Sequence, residues 1–478
     1  MSRLLTAQLS FADLQLQSLG IHLDPALQRI ADFLEENVPL VELVRQDLER
    51  GLKNPNAGRN GIAAAQILRS LTLMRIKNWD YRELRERIND GYTLRCFTLF
   101  DSQSVPKHDA FHRAINRLTP ETLAAINQAV VQAAVEHGLE DGKKLRVDTT
   151  VVETNIHYPT DATLLWDAVR TITRLIGDLH ERLPQGVKHF TNRTRSARRR
   201  MQAIQRMTAR QREQQQTPKY CELIRITEKV VRSAKQAVAA AQRVRKCDVI
   251  TRAAIDALCE QITGFCKLGG RVIDQTRRRV LQGETVPAEE KLYSIFEPHT
   301  DLIKRGKSLK PVEFGPKVFL AESSHGLITD YRVLEGNPVD SDHVPASLEH
   351  HQETFQQAPE EYAADRGFYS VENVQTCQDA GVSQVSIPQR GGQRTAEQEE
   401  IERSRDFKKG QRFRAGIEGR ISVLFRGRGM KRCLLKGRQR FELLVGAAVL
   451  ANNLLRIADL LDKRKVDQRK SNRRLAAA

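Results

Sequence analysis

A β-branched run, KKLRVDTTVVETN at 143–155, interrupts a chain that reads as helix on both sides, over 62–138 and again over about 160–290. Val147, Thr149, Thr150, Val151 and Val152 carry two heavy atoms on Cβ, which favours extended backbone. Asp148 sits in the middle of this strand. A carboxylate buried there is costly unless it is paired or bound to a cation. The chain therefore combines helices with at least one buried strand, an α/β arrangement, and must give that acid a partner.

Further strands follow after the second helical stretch. PVEFGPKVFLAESSHGLITDYRVLEGN reads as two strands joined at SSHG, then a helix over about 343–357. EYAADRGFYS suggests a strand ending at Asp365, VENVQTCQDA a short helix and VSQVSIPQRGG another strand; from 400 onward the pattern is helical and basic. Toward the N-terminus, residues 1–50 read as amphipathic helices and KNPNAGRNG (53–61) as a polar break. IAAAQILRSLTLMRI has helical spacing, and Asp80 can cap the helix after it. SVPKHDAFHRAINRLTPETLAAINQAVV reads as two short helices broken at LTPE. Such alternation resembles a helix-turn-helix DNA-binding module, and a helical bundle without a DNA role fits the spacing as well. The tail DKRKVDQRKSNRRLAAA has the composition of a disordered basic segment.

Charge narrows the partner. Lys and Arg number 77 against 59 Asp and Glu, a net charge of +18, and the excess is clustered. Lys188, Arg193, Arg195, Arg198, Arg199, Arg200, Arg206, Arg210 and Arg212 face a single acid, Glu213. A solvated helical face is the plain reading of such a run; the near-absence of acids favours phosphate binding. The seven cysteines include no CxxC pair, which argues against both a zinc site and a secreted disulfide framework. The N-terminus has no apolar signal region, and the apolar run at 443–455 is short and interrupted by Asn452 and Asn453. A cytoplasmic, nucleoid-associated protein without a membrane span is expected.

Three acids stand out by context. Asp148 lies mid-strand. Asp365 follows a strand, where α/β sheets place their sites. Glu418 lies on a helix with Arg414 one turn before it. Carboxylates so arranged suit in-line chemistry on phosphodiesters, where two divalent ions about 3.5–4 Å apart activate the attacking oxygen and stabilise the leaving one. Magnesium prefers carboxylate oxygen and water. Each acid also has an ordinary role open to it: Asp148 can pair with a base, Asp365 can stabilise a turn, and Arg414–Glu418 can be a surface ion pair. Asp330, in an apparent strand, is the main rival to a member of the set. Asp161 and Asp301 are spare acids, and His157, His299 and His325 fit structural or surface roles.

The stretches LRVDTTVVETNIHYPTDATLLWD, SIFEPHTDLIKRGK, VEFGPKVFLAESSHGLITDYRVLEG, YAADRGFYS, FRAGIEGRISVLFRGRGMKRCLLKG and VGAAVLANNLLRIA occur in an order that resembles bacterial insertion-sequence transposases of the DDE type, ISNCY-like group. The resemblance covers nearly all of 50–460. It implies an RNase H-like mixed-sheet catalytic domain over 141–160 and 291–460, a helical basic insertion over 161–290, an all-helical, DNA-binding N-terminal region over 1–140 and a tail over 461–478. It implies that Asp148, Asp365 and Glu418 are the catalytic, metal-binding acids, that two Mg2+ or Mn2+ ions serve each site, and that Arg414 belongs to an R-x3-E signature. Arg414, Arg420, Arg426, Arg198, Arg199 and Arg200 are the expected DNA contacts. The implied substrates are double-stranded transposon ends and target DNA, held by a homodimer or larger assembly. Gln411 and Phe425 stand where the related signature has Tyr and Lys. An inactive, DNA-binding descendant and a nuclease without strand transfer remain as alternatives.

Overall fold

The structure, a computed structural model, describes residues 20, 22–54, 61–184, 190–244, 247–304 and 312–477. Residues 1–19, Lys188 and the centre of the polar break at 53–61 fall outside them. The chain forms two compact units, one from residues 1–153 with 316–478 and the other from 154–315.

Among the described residues, the first unit opens with seven helices: α1 (Pro25–Glu36), α2 (Val38–Glu49), α3 (Ala64–Lys77), α4 (Tyr81–Asp90), α5 (Tyr92–Phe97), α6 (His108–Ile115) and α7 (Pro120–Glu136). Their boundaries follow local chemistry. Asp80 caps α4 by accepting from the N–H groups of Arg82 and Glu83, both at 2.8 Å. Thr119 caps α7 and Pro120 opens it, which is the break expected at LTPE. β1 (Lys144–Val151) follows.

Among its described residues, the second unit holds four α-helices, α8 (Asp161–Arg182), α9 (Thr194–Gln205), α10 (Ala209–Arg243) and α11 (Val249–Thr276), packed around a shared apolar core. A hairpin pairs Leu302–Lys304 with Val312–Phe314. The insertion expected at 161–290 lies inside this wider unit. Two spare residues have structural roles here. Asp161 receives Gln275 Nε2 at 3.2 Å and faces Arg279 at 3.1 Å, and burial pushes its carboxyl above the usual range. His157 Nε2 lies 2.8 Å from Asp167, which also takes Arg170.

The first unit resumes with β2 (Lys317–Ser323), β3 (Ile328–Val333), α12 (Val344–Phe355), β4 (Glu361–Ala363), α13 (Val371–Asp379), β5 (Gln384–Ser386), α14 (Ala396–Arg403), α15 (Arg405–Gly427) and α16 (Arg438–Ala477). The five strands form a mixed sheet in the order β3-β2-β1-β4-β5. β3, β2 and β1 are antiparallel neighbours, whereas β4 and β5 run parallel to β1. One face, with Leu145, Val147, Phe319 and Tyr362, packs on Val344 and Leu348 of α12 and Cys377 of α13. The other, with Val318, Leu320 and Ile328, packs on Ile417 and Leu424 of α15 and Phe441 and Val445 of α16.

The disordered tail expected over 461–478 is instead a continuation of α16, which runs through Ala477. The first half of that helix is buried with the N-terminal helices, and Arg29 pairs with Asp462 at 2.7 Å. Once a helix is nucleated by packing, each further residue adds a hydrogen bond without a new nucleation cost. By length and composition, 438–468 could cross a membrane, but 78% of its apolar window is buried inside this fold. Asn453 is part of that burial: its Oδ1 accepts from Ile328 N at 2.9 Å and its Nδ2 donates to Ile328 O at 2.8 Å, so it satisfies the end of β3.

α12 is tied to the start of β1 by His351, whose Nε2 donates to the Gly142 carbonyl at 2.8 Å. Its Nδ1 is buried without a hydrogen-bond partner, so a second proton would have nothing to bond; burial pushes the imidazole down to about 4. The folded state thus binds fewer protons than the unfolded chain between about pH 6.5 and pH 4. This contribution is present above pH 6.5 and is lost as pH falls toward 4, amounting to roughly 3 kcal/mol. Denaturant titrations at stepped pH should show the loss, and His351→Gln should flatten it; equal slopes for the two proteins would refute the assignment.

Candidate active site

The parallel pairing of β1 with β4 sets two of the three acids side by side. Arg146 pairs with Ala363; Asp148 stands two residues past the first and Asp365 two past the second. Equal offsets on adjacent parallel strands bring both acids to the same end of the sheet. Side chains two apart share a face, so Asp148 points where Arg146 points, toward α15. Its cross-strand partner Leu320 packs in the same cluster as Ile417 of α15. Asp365 begins a short turn, and its Oδ1 accepts from Gly367 N at 2.7 Å.

The third acid is carried by α15, and several contacts hold this helix close to the sheet. Ser404 caps it by accepting from Phe407 N at 3.1 Å. Gln411 Nε2 donates to the carbonyls of Ser386 at 2.6 Å and Ala364 at 3.2 Å, at the ends of β5 and β4. A Cβ at Gly410 would stand 2.0 Å from Ser386 Oγ, and one at Gly416 would stand 2.2 Å from an Arg146 nitrogen. Only glycine allows this approach. Arg146 donates to the Phe413 carbonyl at 2.7 Å and stacks over its ring. Beneath lies Glu322, fully buried on β2, which takes Arg146 at 2.7 Å and Arg420 at 2.8 Å. Sheet and helix are thereby joined through a buried carboxylate between two guanidinium groups.

These constraints bring Asp148, Asp365 and Glu418 around one cation. Arg414 lies 3.1 Å from Glu418 Oε1, 3.7 Å from Asp365 Oδ2 and 4.0 Å from Asp148 Oδ2. Exposure rises across the set: 14% for the Asp148 side chain, 37% for Asp365 and 67% for Glu418. The group is anchored at the sheet and open to solvent at the helix. An all-oxygen donor set of this kind fits Mg2+ or Mn2+, and these three residues could hold such ions.

Asp340, missed in the sequence, adds a fourth acid nearby. Its Oδ1 accepts from Thr149 Oγ1 at 2.9 Å and from Lys317 Nζ at 3.1 Å. Its Oδ2 and Asp365 Oδ1 both lie within 3.1 Å of where a Cβ on Gly367 would stand. Asp340 thus lies against the turn that carries Asp365 and ties β1 to Lys317. Asp340→Ala removes one charged partner of the mostly buried Lys317, which keeps the Pro338 carbonyl. A loss of about 2 kcal/mol is expected in urea denaturation. An unchanged midpoint would show that this tie contributes nothing.

Other expected residues lie elsewhere. Asp330 pairs across the strands with Ala321, on the face opposite Asp148, and contacts Arg332 at 3.1 Å. It therefore does not join the three acids. Arg420 pairs with Glu322 and Asn452, and Arg200 with Glu222 at 3.0 Å. Arg198, Arg199 and Arg426 are exposed. His299 lies 3.7 Å from Glu297. Glu140, Asp141 and His325 are close enough to share an ion. Glu140, however, already accepts from Asp141 N, Gly142 N and Ser323 Oγ and contacts His325 at 3.1 Å, which ties the start of β1 to the β2–β3 turn.

Comparison with protein families matched residues 298–454 to the family described as Transposase DDE domain. The match includes Asp365, Arg414 and Glu418, and Asp148 lies upstream of it. Comparisons with curated proteins and with solved structures found no match.

Proposed function

We propose, from the match of residues 298–454 to the Transposase DDE domain family, that the protein cleaves DNA at element ends and transfers the freed 3′ ends into target DNA, with Asp148, Asp365 and Glu418 as the metal-binding acids. The observation that carries this reading is the convergence of these acids on one guanidinium just past the point where the β1–β4 pairing ends. The sheet order, with the first strand central between an antiparallel hairpin and two parallel strands, supports an RNase H-like catalytic domain.

Each part of the site has a task in this reading. Divalent ions, when bound, would activate the attacking oxygen and stabilise the leaving one. Asp148 and Asp365 hold the fixed side of the site, because both issue from paired strands. Glu418 closes it from α15. Arg414 pairs with phosphate, and exposed Arg198, Arg199 and Arg426 bind the DNA backbone, where each phosphate contact releases counterions and makes affinity fall with salt. The protein acts on nucleoid DNA in the cytoplasm, as a dimer or larger assembly that holds two ends together.

A joining assay tests the reading. Pre-cleaved end DNA, Mg2+ and a supercoiled target should yield joined product. Cleavage of intact ends without any joining would mark a nuclease, and binding without either would mark an inactive descendant.

A further inference from the structure

We propose that Arg414 occupies the cation position of this site in the metal-free protein, so that its guanidinium and divalent ions compete for the same three carboxylates. The inference rests on the reading of Asp148, Asp365 and Glu418 as the metal-binding acids. Three carboxylates gathered in this way repel one another unless a positive charge lies among them. A guanidinium stays charged at any working pH, so Arg414 supplies that charge when no ion is bound.

The contacts show how it is held. Only the bond to Glu418, at 3.1 Å, has hydrogen-bond length; Asp365 at 3.7 Å and Asp148 at 4.0 Å are reached by charge alone. Arg414 Nε is buried with no hydrogen-bond partner. The guanidinium is therefore positioned chiefly by the field of the acids. It keeps Glu418, the most exposed of the three, turned toward the two aspartates. Two divalent ions would reverse the sign of that field and drive the guanidinium toward the nearest anion, a DNA phosphate. Arg414 is thus a positioning residue first and a phosphate ligand once the acids are filled, which couples metal loading to DNA engagement.

Mn2+ binding to the full chain without DNA, followed by the electron paramagnetic resonance signal of free Mn2+, tests this. Arg414→Gln should bind Mn2+ about tenfold more tightly than the original protein, or ~1.4 kcal/mol. Arg414→Lys, which keeps the charge, should stay near the original affinity. Thermal melting gives a second readout. Arg414→Gln should melt lower than the original in EDTA and gain more from saturating Mn2+. Arg414→Met, similar in length and uncharged, repeats the test should the glutamine variant fold poorly. Equal or weaker Mn2+ binding by the uncharged variants overturns the proposal. Asp148→Asn separates this failure from that of the underlying reading. If Mn2+ binding survives Asp148→Asn unchanged, the acids are not the metal site and both readings fall. If Asp148→Asn removes binding and Arg414→Gln leaves affinity unaltered, only the competition is wrong.

Discussion

On the proposed function, Asp148→Asn is expected to lower metal-dependent cleavage of end-containing DNA by at least about 10³-fold, because a lost metal ligand would forfeit several kcal/mol of transition-state stabilisation and each 1.36 kcal/mol is tenfold in rate. The substitution nearly preserves shape. It removes the charge of the least exposed acid of the set, on a strand paired on both sides. Folding should therefore be retained, and the melting temperature in EDTA and the DNA affinity should change little. Cleavage is read from a labelled end duplex with Mg2+, then with Mn2+. Undiminished cleavage would sink the assignment of the three acids. Loss of cleavage together with loss of folding would be uninformative about chemistry, which is why the asparagine variant is preferred to alanine.

Glu322→Ala is expected to cost about 3–5 kcal/mol, the usual range when one partner of a buried ion pair is deleted. Glu322 has no exposed side-chain surface, and Arg146 and Arg420 retain only 13% and 19% of theirs. Its loss leaves two mostly buried guanidinium groups without a carboxylate. The urea midpoint of the first unit should fall with its slope unchanged. The effect should also reach the site, because Arg146 and Arg420 help fix α15, and α15 carries Arg414 and Glu418. Weaker Mn2+ binding at temperatures where the variant is still folded is the corresponding readout. A midpoint equal to that of the original protein would show that the apolar contacts and the Gln411 bonds hold α15 without Glu322.

Glu322 also marks the limit of what local patterns revealed. Like Asp148, Glu322 is an acid within an apolar strand, following Ala321 in KVFLAES. Both acids have partners. One faces the open end of the sheet and the other the interior of the sheet–helix contact, and strand period alone cannot separate the two. Asp330 is also a strand acid and lies on the opposite face. Gln411, which stands where the related signature has Tyr, donates to the carbonyls of Ser386 and Ala364. The tail failed for a related reason: its composition is that of a solvated segment, while its backbone continues a helix nucleated by packing far upstream.

By itself the sequence determined the kinds of element and most of their ends, because helix and strand periods, Asp80, Thr119 and Pro120 act within a few residues of themselves. It also supplied the three acids, through strand context and family resemblance. The tertiary structure decided which acids meet. The register of β1 against β4 joins residues more than two hundred positions apart, and the buried Arg146–Glu322–Arg420 contact helps set the height of α15 above the sheet. Those pairings depend on strand order and on charges brought together only by folding, and no local period encodes them.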